Sequence, residues 1–138
     1  MTTINTNAPR ARSTFETRVY YEDTDAGGIV YHTAYLRWAE RARTELLREL
    51  GATHADLAAK GCVTLLRDTR LTLLRPCRLD DRVTVHTELS DVRGARLLFS
   101  QEALLPCGAV LATIRAEAVT VTPGDFRPLR AEKYIHLP

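Results

Sequence analysis

The chain has 138 residues, of which 45% are hydrophobic and 26% charged. This length and composition predict one soluble globular domain and exclude wholesale disorder, since domains most often contain about 100–150 residues. Nineteen basic and 17 acidic residues leave a net charge of only +2, so nucleic acid and other polyanions are not expected partners. Seventeen of the basic residues are arginine, whose planar guanidinium suits phosphate, although a GC-rich genome is the simpler explanation of that excess.

The N-terminal residues 1–14 are polar and lack the apolar segment of a secretory signal. No stretch approaches the roughly 20 apolar residues that a membrane-spanning helix needs. Cys62, Cys77 and Cys107 are widely spaced and form no CxxC pair, which favours buried thiols in a reducing compartment over disulfides or a zinc site. The sequence therefore predicts a cytoplasmic protein that is not an integral membrane protein, with a flexible tail over residues 1–14.

The first half of the chain is predicted to contain one strand, one loop and one long helix, in that order. Alternating apolar residues predict a strand over Phe15–Tyr21, followed by a loop at Glu22–His32. The spacing of apolar residues over Thr33–Leu50 predicts an amphipathic helix, with Thr33 as its cap and Gly51 as its left-handed C-terminal residue. Its buried stripe is predicted to contain Tyr35, Ala39, Ala42 and Leu46.

The second half of the chain is rich in strands. A short helical piece, Thr53–Ala59, precedes four segments typical of strands, which short turns connect as an antiparallel meander. These segments are Val63–Leu74, Arg82–Leu89, Ala95–Leu105 and Ala109–Val121. One helix with one apolar stripe and one sheet predict an α+β fold, a five-stranded antiparallel sheet wrapped around the long helix. The domain is predicted over residues 15–130, with a C-terminal tail at 131–138.

The loop before the long helix concentrates chemically useful side chains. Asp25 is a candidate nucleophile or general base, and the amides that begin the helix are candidate partners for an oxyanion. Gly27 and Gly28 leave room for a ligand close to the backbone, and His32 is suited to orienting a carbonyl or moving a proton. A plain turn and helix cap accounts for the same residues equally simply.

Neither a calcium site nor a site with histidine ligands is expected in this loop. A calcium-binding loop that begins at Asp23 requires a carboxylate twelve positions along, and Ala34 stands there. A site built from Asp25, His32 and His54 lacks the spacing that metal ligands usually show. The sequence therefore predicts that no metal takes part.

The segment from Arg18 to Gly51, RVYYEDTDAGGIVYHTAYLRWAERARTELLRELG, closely resembles the start of the hot-dog-fold acyl-CoA thioesterases. It is most similar to the 4-hydroxybenzoyl-CoA thioesterase group and, within that group, to the YbgC-type branch found alongside the Tol-Pal system. The resemblance continues more weakly through Arg70–Leu89 and the closing TPGDFRPLR. The pattern YYEDTDxxGxVYH is long and specific.

The resemblance implies hydrolysis of an acyl-CoA to a free acid and coenzyme A, with no cofactor besides the coenzyme A of the substrate. By position it implies that Asp25, His32 and Tyr21 are catalytic, and that Gly28 and Tyr31 contribute to substrate binding. Whether Asp25 attacks the thioester or activates water stays open. The resemblance also implies a homodimer or homotetramer with sites between subunits, and acyl carrier protein is a further candidate partner.

Two other classes of function stay open at this stage. Dehydration of a hydroxyacyl thioester requires an acid and a histidine together, and the helix offers Glu40 and Glu45 with no matching histidine in the sequence. A non-catalytic protein that binds acyl-CoA or acyl carrier protein would keep the same fold. Acyl chain length is also open. Candidate ligands for the phosphates of coenzyme A are Arg67, Arg70, Arg75, Arg93 and Arg96.

Overall fold

The structure is a computed structural model that describes residues 11–138. A first strand and a short 3-10 turn lead into the main helix, and a small second helix precedes four further strands. The elements are β1 (Ala11–Arg18), a 3-10 turn (Tyr21–Asp23), α1 (His32–Glu49), α2 (His54–Ala59), β2 (Val63–Leu73), β3 (Arg82–Arg93), β4 (Arg96–Leu104), β5 (Val110–Val121) and a 3-10 turn (Ala131–Lys133). No helix in this range has the length and apolarity needed to cross a membrane.

The five strands form one antiparallel sheet in the order β1-β3-β4-β5-β2. This confirms the predicted fold, a five-stranded sheet with one main helix. The predicted meander of four consecutive strands is wrong, because β2 pairs with β5 and not with β3. Residues 74–81 are too long for a tight hairpin, and they run past the site loop instead, where the Val30 N–H donates to the Cys77 carbonyl at 2.9 Å. The length of this connection therefore did not determine which strand pairs with β2.

The predicted apolar stripe of α1 is buried against the sheet, together with Trp38 and Leu47. The helix ends as expected, since Gly51 has a φ of +75° and donates its N–H to the Arg48 carbonyl. Its start differs from the prediction: Tyr31, not Thr33, is the cap residue, and no side chain caps the first turn.

Residues 11–14 and the C-terminal residues 131–138 are packed more closely than the sequence predicts. Residues 11–14, predicted as part of a tail, belong to β1, and Ala11 lies opposite Leu89. Residues 1–10 of that predicted tail lie outside the described range. The predicted C-terminal tail also packs onto the core, because Ala131 and Ile135 are buried in it and the Ala131 N–H donates to the Gly94 carbonyl. The ordered domain therefore extends beyond the predicted limits of 15 and 130.

The cysteines divide into two environments. Cys62 and Cys77 are buried as predicted, whereas Cys107 is exposed in the turn between β4 and β5. Burial raises the pKa of the Cys62 and Cys77 thiols, so both are held in the protonated, less reactive form.

Candidate functional site

The segment between β1 and α1 folds as a 3-10 turn followed by a narrow hairpin. Thr24 and Val30 form an isolated antiparallel bridge that closes the hairpin. The Tyr31 N–H donates to the Asp23 carbonyl at 2.8 Å, and the Asp25 N–H donates to the Ile29 carbonyl at 2.9 Å. These bonds define the shape of the loop that the sequence marked as the candidate site.

Asp25 lies at the head of this hairpin and is exposed. Its Oδ1 accepts hydrogen bonds from the N–H groups of Gly27 at 2.8 Å and Ile29 at 3.4 Å. These backbone donors fix the orientation of the carboxylate without neutralising its charge. An oriented, accessible carboxylate is able to serve as nucleophile or general base.

Gly27 and Gly28 are each required in this hairpin for a different structural reason. A Cβ added at Gly27 would lie 3.2 Å from the Asp25 Oδ1, so a side chain there would crowd the carboxylate. Gly28 has a φ of +82°, which glycine adopts at little cost. The predicted Gly28 is therefore needed for the turn, and Gly27 keeps the space beside Asp25.

The start of α1 supplies unpaired backbone donors next to the hairpin. The cap residue Tyr31 makes no side-chain hydrogen bond to the helix, and the first N–H groups of any α-helix lack partners within the helix. The positive end of the helix dipole lies at the same place. The amides at His32 and Thr33 are thus suited to binding negative charge that develops on an oxygen.

The other predicted site residues lie in the same loop but are not bonded to Asp25. Tyr21 is 82% exposed, and the rings of Tyr31 and His32 lie 4.4 Å apart between centroids. Among the hydrogen bonds of residues 11–138, none joins Asp25 to His32 or Tyr21. The single chain gathers these groups at one surface without connecting them into a hydrogen-bonded triad.

An ion pair next to the hairpin, between a buried carboxylate and a half-exposed arginine, was missed by the sequence analysis. Asp23 is 7% exposed, and its Oδ1 accepts a hydrogen bond from Arg37 Nη2 at 3.2 Å. The two residues are 14 positions apart, so no local spacing pattern relates them. The same segment also contains the carboxylates of Glu22 and Asp25, and the sequence does not indicate which of the three is buried.

Two openings lie along the inner face of β2, which is the face of the sheet on which α1 packs. A groove of about 330 Å³ adjoins the site loop and is lined by residues that include Ile29, Tyr35 and Leu73. A smaller cavity of about 150 Å³ lies farther along α1, between that helix and the sheet. Its apolar wall contains Leu47, Leu66, Leu97, Phe99 and Ala118, and its polar lining contains Glu40, Arg43, Thr44 and His54.

The polar lining of this cavity brings a histidine near the helix acid, which the sequence did not predict. Thr44 Oγ1 lies 3.1 Å from Glu40 Oε2 and 3.2 Å from His54 Nε2. The acid and the imidazole are therefore joined through a threonine hydroxyl. Arg43 donates to the Gln101 side chain at 2.9 Å, and burial lowers the pKa of its guanidinium.

The candidate arginines occupy unlike environments. Arg67 pairs with Glu117 at 2.6 Å, and Arg93 pairs with Asp91 at 2.5 Å, so both already have a carboxylate partner. Arg75 lines the groove beside the site loop. Of the five, Arg75 is the one that the structure brings to this groove.

Comparison with known proteins agrees with this architecture. The model of the thioesterase-like superfamily matches residues 19–125, and the chain belongs to this family. It is 38% identical over 118 residues to the acyl-CoA thioester hydrolase YbgC of Escherichia coli O6:H1, covering 86% of this chain and 88% of the relative. It is 39% identical over 122 residues to the acyl-CoA thioesterase YbgC of Haemophilus influenzae, covering 88% and 89%.

A solved structure shares the fold. The crystal structure of DHNA-CoA thioesterase from Staphylococcus aureus superposes with a TM-score of 0.83 at 25% identity, covering 89% of this chain and 83% of that one. The fold and the family are therefore established independently of the site chemistry.

Proposed function

We propose that this chain hydrolyses acyl-CoA thioesters to a free acid and coenzyme A, with Asp25 as nucleophile or general base. The observation that carries the proposal is an exposed, backbone-oriented carboxylate beside the uncapped start of α1. Membership of the thioesterase-like superfamily and the named activity of the 38% identical relative support it. Acyl-CoA is the substrate of this proposal, and acyl carrier protein is an alternative carrier of the acyl group.

The geometry supports two routes to the same products. In one, an Asp25 oxygen attacks the thioester carbon, coenzyme A leaves as a thiolate, and water then hydrolyses the anhydride. In the other, Asp25 takes a proton from a water that attacks the same carbon, and the C–S bond then breaks so that coenzyme A leaves as a thiolate. Both routes place negative charge on the carbonyl oxygen, where the amides of His32 and Thr33 would stabilise it.

The remaining predicted residues have supporting roles in the proposal. The His32 ring lies at the helix start and would orient the thioester carbonyl, and Tyr21 would contribute from the preceding turn. Gly28 and Tyr31 would border the bound substrate. The acyl group would lie along the uncovered inner face of β2, from the groove near Leu73 toward the cavity near Ala118.

The proposal includes a homodimer, or a homotetramer built from dimers. Among residues 11–138, no strand pairs with the outer edge of β2, because the sheet ends there. An open strand edge is satisfied by pairing with a second copy of the same edge. Pairing at this edge would bring the partner close to the groove and would complete a site between subunits.

Hydrolysis of a panel of acyl-CoA substrates, followed by the release of free thiol, tests this function. Asp25→Asn is expected to lower kcat by about 10³-fold, because the amide neither attacks nor accepts the proton. Glu22→Gln is the matched control, since Glu22 is an exposed carboxylate in the same loop. The Cys107→Ser background removes the exposed protein thiol that would react with the assay reagent.

The same assay separates the alternatives. Retention of activity in Asp25→Asn would contradict the assigned chemistry. Tight binding of acyl-CoA without turnover of any chain length would favour a non-catalytic acyl-binding protein instead.

A further inference from the structure

We propose that Asp23 and Arg37 form a positioning pair that sets the distance between the Asp25 carboxylate and the start of α1. The inference rests on the proposed function for its kinetic consequences, while its structural part is measured separately. Neither residue would touch the substrate in this proposal. They act through the loop and the helix that carry the reacting groups.

Asp23 connects three segments of the chain through separate atoms. Its Oδ2 accepts a hydrogen bond at 2.9 Å from the N–H of Tyr20, the residue before the 3-10 turn. Its Oδ1 accepts from Arg37 of α1 at 3.2 Å, and its backbone carbonyl accepts from the Tyr31 N–H at 2.8 Å. One buried residue therefore ties together the entry to the loop, its exit and the helix.

Arg37 is the ion-pair partner of the Asp23 carboxylate. Arg37 lies in the second turn of α1, and its Nη1 also lies 3.4 Å from Thr33 Oγ1 in the first turn. A positive charge near a helix N-terminus opposes the helix dipole, whereas a negative charge there is favourable. Asp23 compensates Arg37 at this position, and removal of either partner leaves the other charged group without its counter-ion.

Both ends of the hairpin that carries Asp25 depend on this pair. The hairpin begins directly after Asp23 and ends at Tyr31, the cap residue of α1. The Asp25 carboxylate is oriented by N–H groups within that hairpin, so a shift of the hairpin moves the carboxylate with it. A displacement of about 1 Å between reacting groups is sufficient to reduce a rate by about 10²-fold.

The kinetic test compares Asp23→Asn with Glu22→Gln in the neighbouring exposed position. We expect Asp23→Asn to lower kcat by about 10²-fold with little change in KM, because substrate binding does not use this residue. Arg37→Gln should produce a similar loss. The double variant should be no slower than the slower single variant, since residues that act as one unit are not additive.

A purely stabilising ion pair would give a different result. In that case each variant, measured well below its unfolding temperature, would keep the native kcat per folded molecule. Equal and independent losses that multiply in the double variant would also contradict a shared positioning role.

Amide hydrogen exchange separates this inference from the proposed function. In Asp23→Asn, the N–H groups of Tyr31, Gly27 and Ile29 should exchange faster than in the native chain, while those of the central strand β4 stay protected. Unchanged exchange at the three loop amides would overturn the positioning role. A native chain that is inactive on every acyl-CoA would contradict the proposed function. Faster loop exchange in Asp23→Asn than in that native chain would still support the positioning pair.

Discussion

The centre of the sheet and its β2 edge are built from similar apolar residues but have opposite environments. On the inner face, Val85, Leu89 and Leu97 are at most 1% exposed beneath α1 and the elements that follow it. Leu66 and Leu73 of β2 are 52% and 53% exposed, although they lie opposite the buried Ala118 and Ala112 of β5. The comparison shows that the chain completes its core at one side of the sheet and leaves the other side open beside the candidate site.

The dimensions of the elements explain this difference. Five strands spaced about 4.8 Å apart span roughly 19 Å, whereas one helix with its side chains is about 10–12 Å across. A single helix therefore cannot cover the whole inner face. The uncovered part coincides with β2, one of the two edge strands, whose outer edge also lacks a partner within residues 11–138.

The largest expected effect is on the free energy of unfolding. It differs between Leu97 and Leu66, two leucines that line the same cavity. Leu97→Ala should lower the free energy of unfolding by about 2–5 kcal/mol, because it removes fully buried methyl groups. Leu66→Ala at the edge should change it by about 0.5 kcal/mol or less in the single chain. Chemical denaturation of both variants measures the difference, and equal losses would mean that β2 is covered in solution.

The open edge of β2 can be blocked by removing a single backbone N–H. The Leu74 N–H donates to the Leu111 carbonyl of β5. Because backbone N–H groups point alternately to the two sides of a strand, the Arg70 N–H points toward β5 and the Thr69 N–H points toward the free edge. Thr69→Pro should therefore keep the chain folded but reduce the assembly to single chains, as measured by light scattering. Arg70→Pro is the matched control and should destabilise the sheet itself, because it removes a bond within the sheet.

Two outcomes would contradict the paired edge. One is a native protein that has the mass of a single chain. The other is a Thr69→Pro variant that keeps the native mass.

The smallest expected effect is on substrate selectivity. Ala118 lines the cavity, and Ala118→Phe should fill it and lower kcat/KM for the longest acyl-CoA substrates by about 10-fold. The shortest substrates should be hydrolysed at the native rate, and Ala118→Val should give an intermediate result. An equal loss for all chain lengths would show that the acyl group takes another path.

Local patterns were sufficient to predict most elements of this chain. The spacing of Tyr35, Ala39, Ala42 and Leu46 predicted the buried face of α1, because helical periodicity depends only on nearby residues. The position of Gly51 predicted where α1 ends, and this glycine has a positive φ angle there. The candidate site loop was also located from its sequence.

Long-range relations were not predictable in the same way. The pairing of β2 with β5 depends on how all five strands are arranged in the sheet. The length of the connection from β2 to β3 does not determine it. The packing of Ile135 onto the core depends on a surface that exists only after the sheet and α1 have formed. The pairing of Asp23 with Arg37 joins residues from two elements. Asp23 is buried whereas the nearby Asp25 is exposed, although the two side chains are chemically the same.

The sequence by itself therefore determined the kinds of elements, their order, the apolar face of α1 and the loop that carries Asp25. These features follow from interactions between residues close in the chain. The tertiary structure decided the neighbour of β2, the exposure of that strand and the burial of Asp23 against Arg37, because each depends on groups that meet only when distant segments pack together.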